Sequence, residues 1–206
     1  MKKTICIIDY GCGNTKSILN SLKYINSKAV ISNKDDVIKK SSHLILPGVG
    51  SYGNAMQKIN SKINLKLLNN EVLNVRKPIL GICVGMQIMS NYGFEFKRTK
   101  GLSWLDGEVK KMKSKPNIIP QIGWNNLNIK MEKNKIFENI TKKDFFYFVH
   151  SFQFNLKKKN DLLASTFYND HFSSVINRKN ILGVQFHPEK SQSAGIKFLK
   201  NFIDYF

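Results

Sequence analysis

The chain has 206 residues, of which 42% are hydrophobic and 23% charged, the make-up of a folded globular protein with a substantial core. It is read as one domain over residues 1–206, and no apolar run approaches the length that crosses a membrane, so no membrane partner is expected. The formal charge of +19 is spread through every segment without a nucleic-acid reader motif, which argues against specific nucleic-acid binding and for an acidic partner surface or an anionic substrate.

The densest basic cluster, Lys110, Lys111, Lys113 and Lys115, sits beside Asp106 and Glu108. The cysteines, Cys6, Cys12 and Cys83, are odd in number and lack metal-ligand spacing, so neither metal nor cofactor is expected. The basic start at Met1 is followed too soon by Asp9 to be a secretory signal. Together these features indicate reduced thiols in a cytoplasm.

Residues 4–8 form a short apolar strand that the Gly11-Cys12-Gly13 turn ends. Asn14 can cap a helix running to about residue 25, with Ile18, Leu19, Leu22 and Ile25 at helical spacing. Short strands are expected at 29–31 and 43–46. A helical region carrying Ile63, Leu67, Leu68, Val72 and Val75 leads to a third apolar run, 78–80, followed by a second helical stretch at 86–90. This alternation predicts an α/β fold, a mostly parallel sheet with helices on both faces. The second half is richer in strand, with runs at 145–154, 162–168 and 181–186, and residues 191–206 read as a closing helix. Residues 97–100 and 157–160 are read as surface loops.

Gly81-Ile82-Cys83-Val84-Gly85, between an apolar strand and a helix, has the form of a nucleophile elbow. The glycines relieve clashes in a turn that forces the central residue into a strained conformation. The thiol then sits at a helix N-terminus, where the dipole favours negative charge. His187 and Glu189 lie two residues apart after a strand-like run, so both side chains can face one site. A thiol nucleophile needs a base, and the base needs a group to orient it, the roles that His187 and Glu189 fit. The N–H of Val84, next after the nucleophile, is the first oxyanion donor such a site would use. Gln87 lies one helical turn past Cys83, on its face. His150 is more simply a hydrogen-bonded structural histidine than a base.

These segments resemble the triad-type class I glutamine amidotransferases. Four more sharpen the likeness: Asp9-Tyr10-Gly11-Cys12-Gly13-Asn14, Pro47-Gly48-Val49-Gly50-Ser51-Tyr52-Gly53, Gly123-Trp124-Asn125, and Tyr147-Phe148-Val149-His150-Ser151-Phe152. In that order they resemble the glutaminase-subunit family of imidazole glycerol phosphate synthase, over nearly the whole chain. The resemblance implies a flavodoxin-like sheet with extra antiparallel strands in the second half. It implies hydrolysis of L-glutamine to glutamate and ammonia through a cysteine thioester. It also implies a heterodimer with a (β/α)₈-barrel cyclase that uses the ammonia to make imidazole glycerol phosphate and AICAR in histidine biosynthesis. A second oxyanion donor is then expected from Val49 or Gly50, in a loop that a partner could switch. Substrate contacts are expected from Gln87, Ser151 and the backbone around His150 and Phe152, and partner contacts from Asn14, Gln121 and Trp124. For Trp124, core packing is the competing reading. The chain departs from the family at Pro120-Gln121-Ile122-Gly123, where histidine is usual in place of Gln121. The segment from Gly101 to Gly107 is similar to paralogues that supply ammonia for surface-polysaccharide or nonulosonic-acid sugars. That function stands as the alternative, and a non-catalytic scaffold, which predicts a broken triad, as a second.

Overall fold

The computed structural model describes residues 3–113 and 118–206. Lys115, of the basic cluster, and the extreme N-terminus Met1-Lys2 lie outside the described residues. The first half runs β1 (Thr4–Ile8), α1 (Thr15–Tyr24), β2 (Lys28–Ser32), α2 (Asp35–Lys40), β3 (His43–Leu46), α3 (Tyr52–Lys62), α4 (Leu65–Asn69), β4 (Ile79–Ile82) and α5 (Val84–Gln87). A π-helical turn, Asn70–Asn74, extends α4. The second half holds β5 (Tyr92–Gly93), β6 (Thr99–Lys100), β7 (Gly107–Lys111), β8 (Gln121–Asn126), β9 (Asn128–Ile129), β10 (Phe145–His150), β11 (Phe152–Leu156), β12 (Leu162–Tyr168), β13 (Asp170–Arg178), β14 (Ile181–Val184) and α6 (Gln192–Tyr205).

Among the described residues the main sheet has the order β2-β1-β3-β4-β14-β13-β12-β9. From β2 to β14 the pairs are parallel, and from β14 to β9 they are antiparallel. Every residue of β3, β4 and β14 is buried. Strands of that kind need cover on both faces, which is why they read as unbroken apolar runs rather than alternating ones. α6 supplies part of the cover by burying Ala194, Phe198, Leu199, Phe202 and Ile203. Two small sheets, β10-β8 and β11-β7-β5-β6, complete the second half.

The expected run at 145–154 is corrected to two strands in different sheets. β10 pairs with β8 and β11 with β7, and the break falls at Ser151, whose carbonyl accepts from Met112 N–H. Residues 99–100, expected in a loop, form β6. The helical region expected around residues 63–75 is broken at Ile63 and resumes when the Asn64 side chain accepts from Leu67 N–H. Among the described residues α2, α3, β5, β7, β8, β9 and β13 had no reading from sequence. α3 is capped by Ser51, whose hydroxyl accepts from Asn54 N–H, and β13 hides its strand character behind Ser173, Ser174 and Asn177.

Candidate active site

Four neighbouring parallel strands, β1, β3, β4 and β14, deliver the motif residues from their carboxyl ends. The strand order reverses between β1 and β3, and crevices at such points are where open α/β sheets bind ligands. After β4 the chain turns at Cys83 with φ 53° and ψ −114°, a conformation a side-chain-bearing residue adopts only under strain. The neighbours enforce it. A Cβ on Gly85 would stand 2.0 Å from the Leu46 carbonyl oxygen, and one on Gly81 would stand 2.8 Å from Met86 Cα. Cys83 N–H donates to the Val184 carbonyl, so the elbow is tied to the end of β14.

Past β14 the chain carries His187, whose N–H donates to the Tyr147 carbonyl and whose own carbonyl accepts from the Ser191 hydroxyl at 2.6 Å. His187 Nδ1 lies 2.8 Å from Glu189 Oε1, with both side chains buried. The same carboxylate oxygen accepts from Asn14 Nδ2 at 3.2 Å. Asn14, expected to cap α1, makes no side-chain cap. It spans the end of β1 and the end of β14 and holds the Glu189 carboxylate instead. Burial disfavours the charged imidazole of His187, but the nearby Cys83 sulfur and the Glu189 carboxylate outweigh it and push the pKa up to about 10. His187 Nε2 is buried and makes no standard hydrogen bond.

A cavity of about 310 Å³ opens over Cys83. Its walls include Val49, Gly50, Val84, Gln87, His150, Ser151, Phe152 and His187, so the sequence-derived oxyanion and substrate residues surround one space. Glu189 stands behind His187, outside that lining. Glu95, Pro120 and Val149 also line the cavity. Pro120 and Val149 lie in family-like segments but had no site role assigned from sequence, and Glu95 was not singled out at all. Glu95 accepts from Tyr52 N–H at 2.7 Å, and only its place in the fold marks it. Gly50 has φ 89°, and the loop before it is fixed by Tyr10 Oη, which donates to the Pro47 carbonyl at 2.6 Å. Val84 begins α5, so its N–H has no partner within the helix.

The Phe152 carbonyl accepts twice, from Gln87 Nε2 and from His150 Nδ1, each at 2.9 Å. It is thereby filled, and a substrate can meet Phe152 only through other atoms. Burial pushes the His150 pKa down to about 4, against the pull of the Phe152 carbonyl, and nearby His187 adds to the lowering. His150 is thus a neutral structural group, packed edge-on against Phe172. Gln121 and Trp124 part company on β8, because an odd spacing puts them on opposite faces. Gln121 is 2% exposed, which corrects its expected display to a partner, whereas Trp124 is 47% exposed beside Tyr147.

A strained cysteine elbow facing a carboxylate-held histidine at the ends of parallel strands defines a triad-type amidotransferase glutaminase fold. Residues 6–205 match the family described as glutamine amidotransferase class-I. The chain is 41% identical over 200 residues to imidazole glycerol phosphate synthase subunit HisH 2 of Methanococcus maripaludis, covering 97% of this chain and 98% of that one. It is 38% identical over 206 residues to imidazole glycerol phosphate synthase subunit HisH of Pelagibacter ubique, covering 97% and 99%. The structure of PurLQS from Thermotoga maritima shares the fold, with a TM-score of 0.78 at 18% identity, covering 100% of this chain and 99% of that one. The chain belongs to the class-I glutamine amidotransferase family and, within it, to the HisH subunits of imidazole glycerol phosphate synthase.

Proposed function

We propose that this chain hydrolyses L-glutamine as the glutaminase subunit of an imidazole glycerol phosphate synthase, with Cys83 as nucleophile, His187 as acid–base and Glu189 as its orienter. The observation that carries the reading is the geometry around His187: a buried imidazole fixed by Glu189 and Asn14, facing Cys83 in one cavity. The Cys83 sulfur attacks the side-chain amide carbon and forms a C–S bond. His187 protonates the leaving nitrogen as the C–N bond breaks and ammonia departs. Water, deprotonated by His187, then opens the thioester to glutamate and returns the thiol. The oxyanion of each step meets Val84 N–H and a second amide from Val49 or Gly50. Glu95 supplies the negative charge that suits the substrate's α-ammonium, while Gln87 Oε1 and the Ser151 segment complete the grip.

The partner is the (β/α)₈-barrel cyclase, which consumes the ammonia. The surface that suits it is the outward face around β8, where Ile118, Ile122 and Trp124 are exposed. We read the compartment as the cytoplasm, since the nucleophile must stay reduced. The test is labelling with a diazoketone analogue of glutamine, followed by peptide mapping. Cys83 is expected to carry the label while Cys6 and Cys12 stay free. Labelling of Cys12 instead of Cys83 overturns the assignment.

A further inference from the structure

Gln185 follows β14 directly and shares its side-chain direction with His187, two residues on. It is fully buried. Buried amides must satisfy both ends, so where its two ends point is a question with one answer. The Phe152 carbonyl is an acceptor only, which fixes the NH₂ end of Gln87 toward it. The same Gln87 Nε2 lies 3.0 Å from Gln185. The atom of Gln185 facing that donor must therefore be its oxygen, and its nitrogen is turned the other way. That nitrogen lies 3.6 Å from Cys83 Sγ, an ordinary length for N–H···S.

We infer that Gln185 is a further catalytic residue of this site, donating a hydrogen bond to the attacking sulfur, with Gln87 as the positioning residue that sets its orientation. The inference rests on the glutaminase reading above for its chemistry, but the contact itself does not. A neutral donor suits this place. It stabilises charge on the sulfur and has no proton to surrender at working pH, so His187 keeps sole charge of proton transfer. The arrangement also links two ends of the cavity, because Gln87 holds the substrate strand through Phe152 and the nucleophile through Gln185. Both hydrogens of the Gln87 amide are spent on those contacts. Only its oxygen is left for a ligand.

The test compares Gln185→Met, which keeps the volume and removes the donor, with Gln185→Glu, which keeps the acceptor for Gln87 and removes the donor. Folding is checked by thermal unfolding, and if one variant fails to fold the other carries the test. Alkylation of Cys83 by iodoacetamide at neutral pH is expected to slow about tenfold in either variant, with a matching loss of ultraviolet thiolate absorbance, since hydrogen bonds to charged groups reach that strength. With the cyclase subunit present, kcat for glutamate release should fall by at least about tenfold while KM stays within about twofold, the mark of an interaction made in the transition state. Gln87→Met should slow alkylation less and raise KM. Folded variants that alkylate and turn over at the wild-type rate overturn the proposal, and so does a loss confined to KM. A wild-type complex that releases no glutamate, with alkylation still slowed in the variants, removes the glutaminase reading and leaves the Gln185–Cys83 contact standing.

Discussion

One carboxylate oxygen of Glu189 receives two donors, Asn14 Nδ2 and the His187 ring, and this sets a graded expectation for mutants. Cys83→Ser and His187→Ala should lose nearly all glutaminase turnover with the fold intact. Glu189→Gln should lose less, because the imidazole remains, poorly held. Asn14→Leu should lose less again. Steady-state glutamate release by the complex ranks them. The histidines also write a pH signature. The folded His187 binds its proton more tightly than the unfolded chain does, with a pKa of about 10 against 6.5. Its stabilisation is therefore full below pH 6.5 and lost as pH rises through 10. His43 and His150 run the other way, pushed by burial from 6.5 down to about 4. Their neutral forms stabilise the fold above pH 6.5, and that contribution disappears as pH falls through 4. Urea midpoints measured across pH should show both limbs, and His43→Leu should make the acid limb shallower. At this scale the Cys83 elbow and the His187–Glu189 pair were legible, because glycines two residues either side of a cysteine and a histidine two residues before a glutamate are local spacings. Asn14, Glu95 and Gln185 were not, since their contacts cross 175, 43 and 102 residues, and no local pattern encodes a partner so distant.

Among the elements, the elbow and the loop after β3 touch backbone to backbone. A Cβ on Gly48 would lie 2.2 Å from Gly85 N, so Gly85→Ala and Gly48→Ala should each cost stability and activity together, read as a lower thermal midpoint and lost glutamate release. Elsewhere, buried Lys77 pairs with Glu71 at 2.7 Å and donates to the Ile38 and Lys39 carbonyls, which end α2. Lys77→Met strands a buried carboxylate and should cost about 3–5 kcal/mol in urea unfolding, much of it regained in the Lys77→Met, Glu71→Leu double mutant. The strands β3 and β12 stood out in the sequence at their observed bounds, β3 as an apolar run that fits a covered sheet and β12 through its Leu, Thr, Phe and Tyr residues. β13 did not, because its Ser174 hydroxyl is satisfied inside the sheet by Thr166 Oγ1 at 2.6 Å, a pairing that turns a polar residue into a core one. Likewise the handover at Ser151 from one sheet to another was missed, because a single serine within the aromatic-rich run 145–154 does not mark a strand end.

For the molecule as a whole, activity is expected to depend on the partner. The isolated chain should release glutamate slowly, and adding the cyclase with its nucleotide ligand should raise kcat by at least about 10²–10³, the worth of one oxyanion donor. Full activity of the lone chain would exclude that switch. Trp124→Ala should weaken assembly, measured by calorimetry, without changing the thermal midpoint of the free chain. The sheet carries a further consequence for how the protein is made. β14 is the last strand in the chain, yet it lies between β4 and β13 near the middle of the sheet. During synthesis the edge of β4 waits open until residue 184 has emerged, and the sheet closes by insertion rather than by growth at a rim. That insertion also brings His187 and Glu189 to Cys83. A chain that ends before residue 181 therefore lacks the middle strand of its sheet, and with it His187 and Glu189, while already holding Cys83.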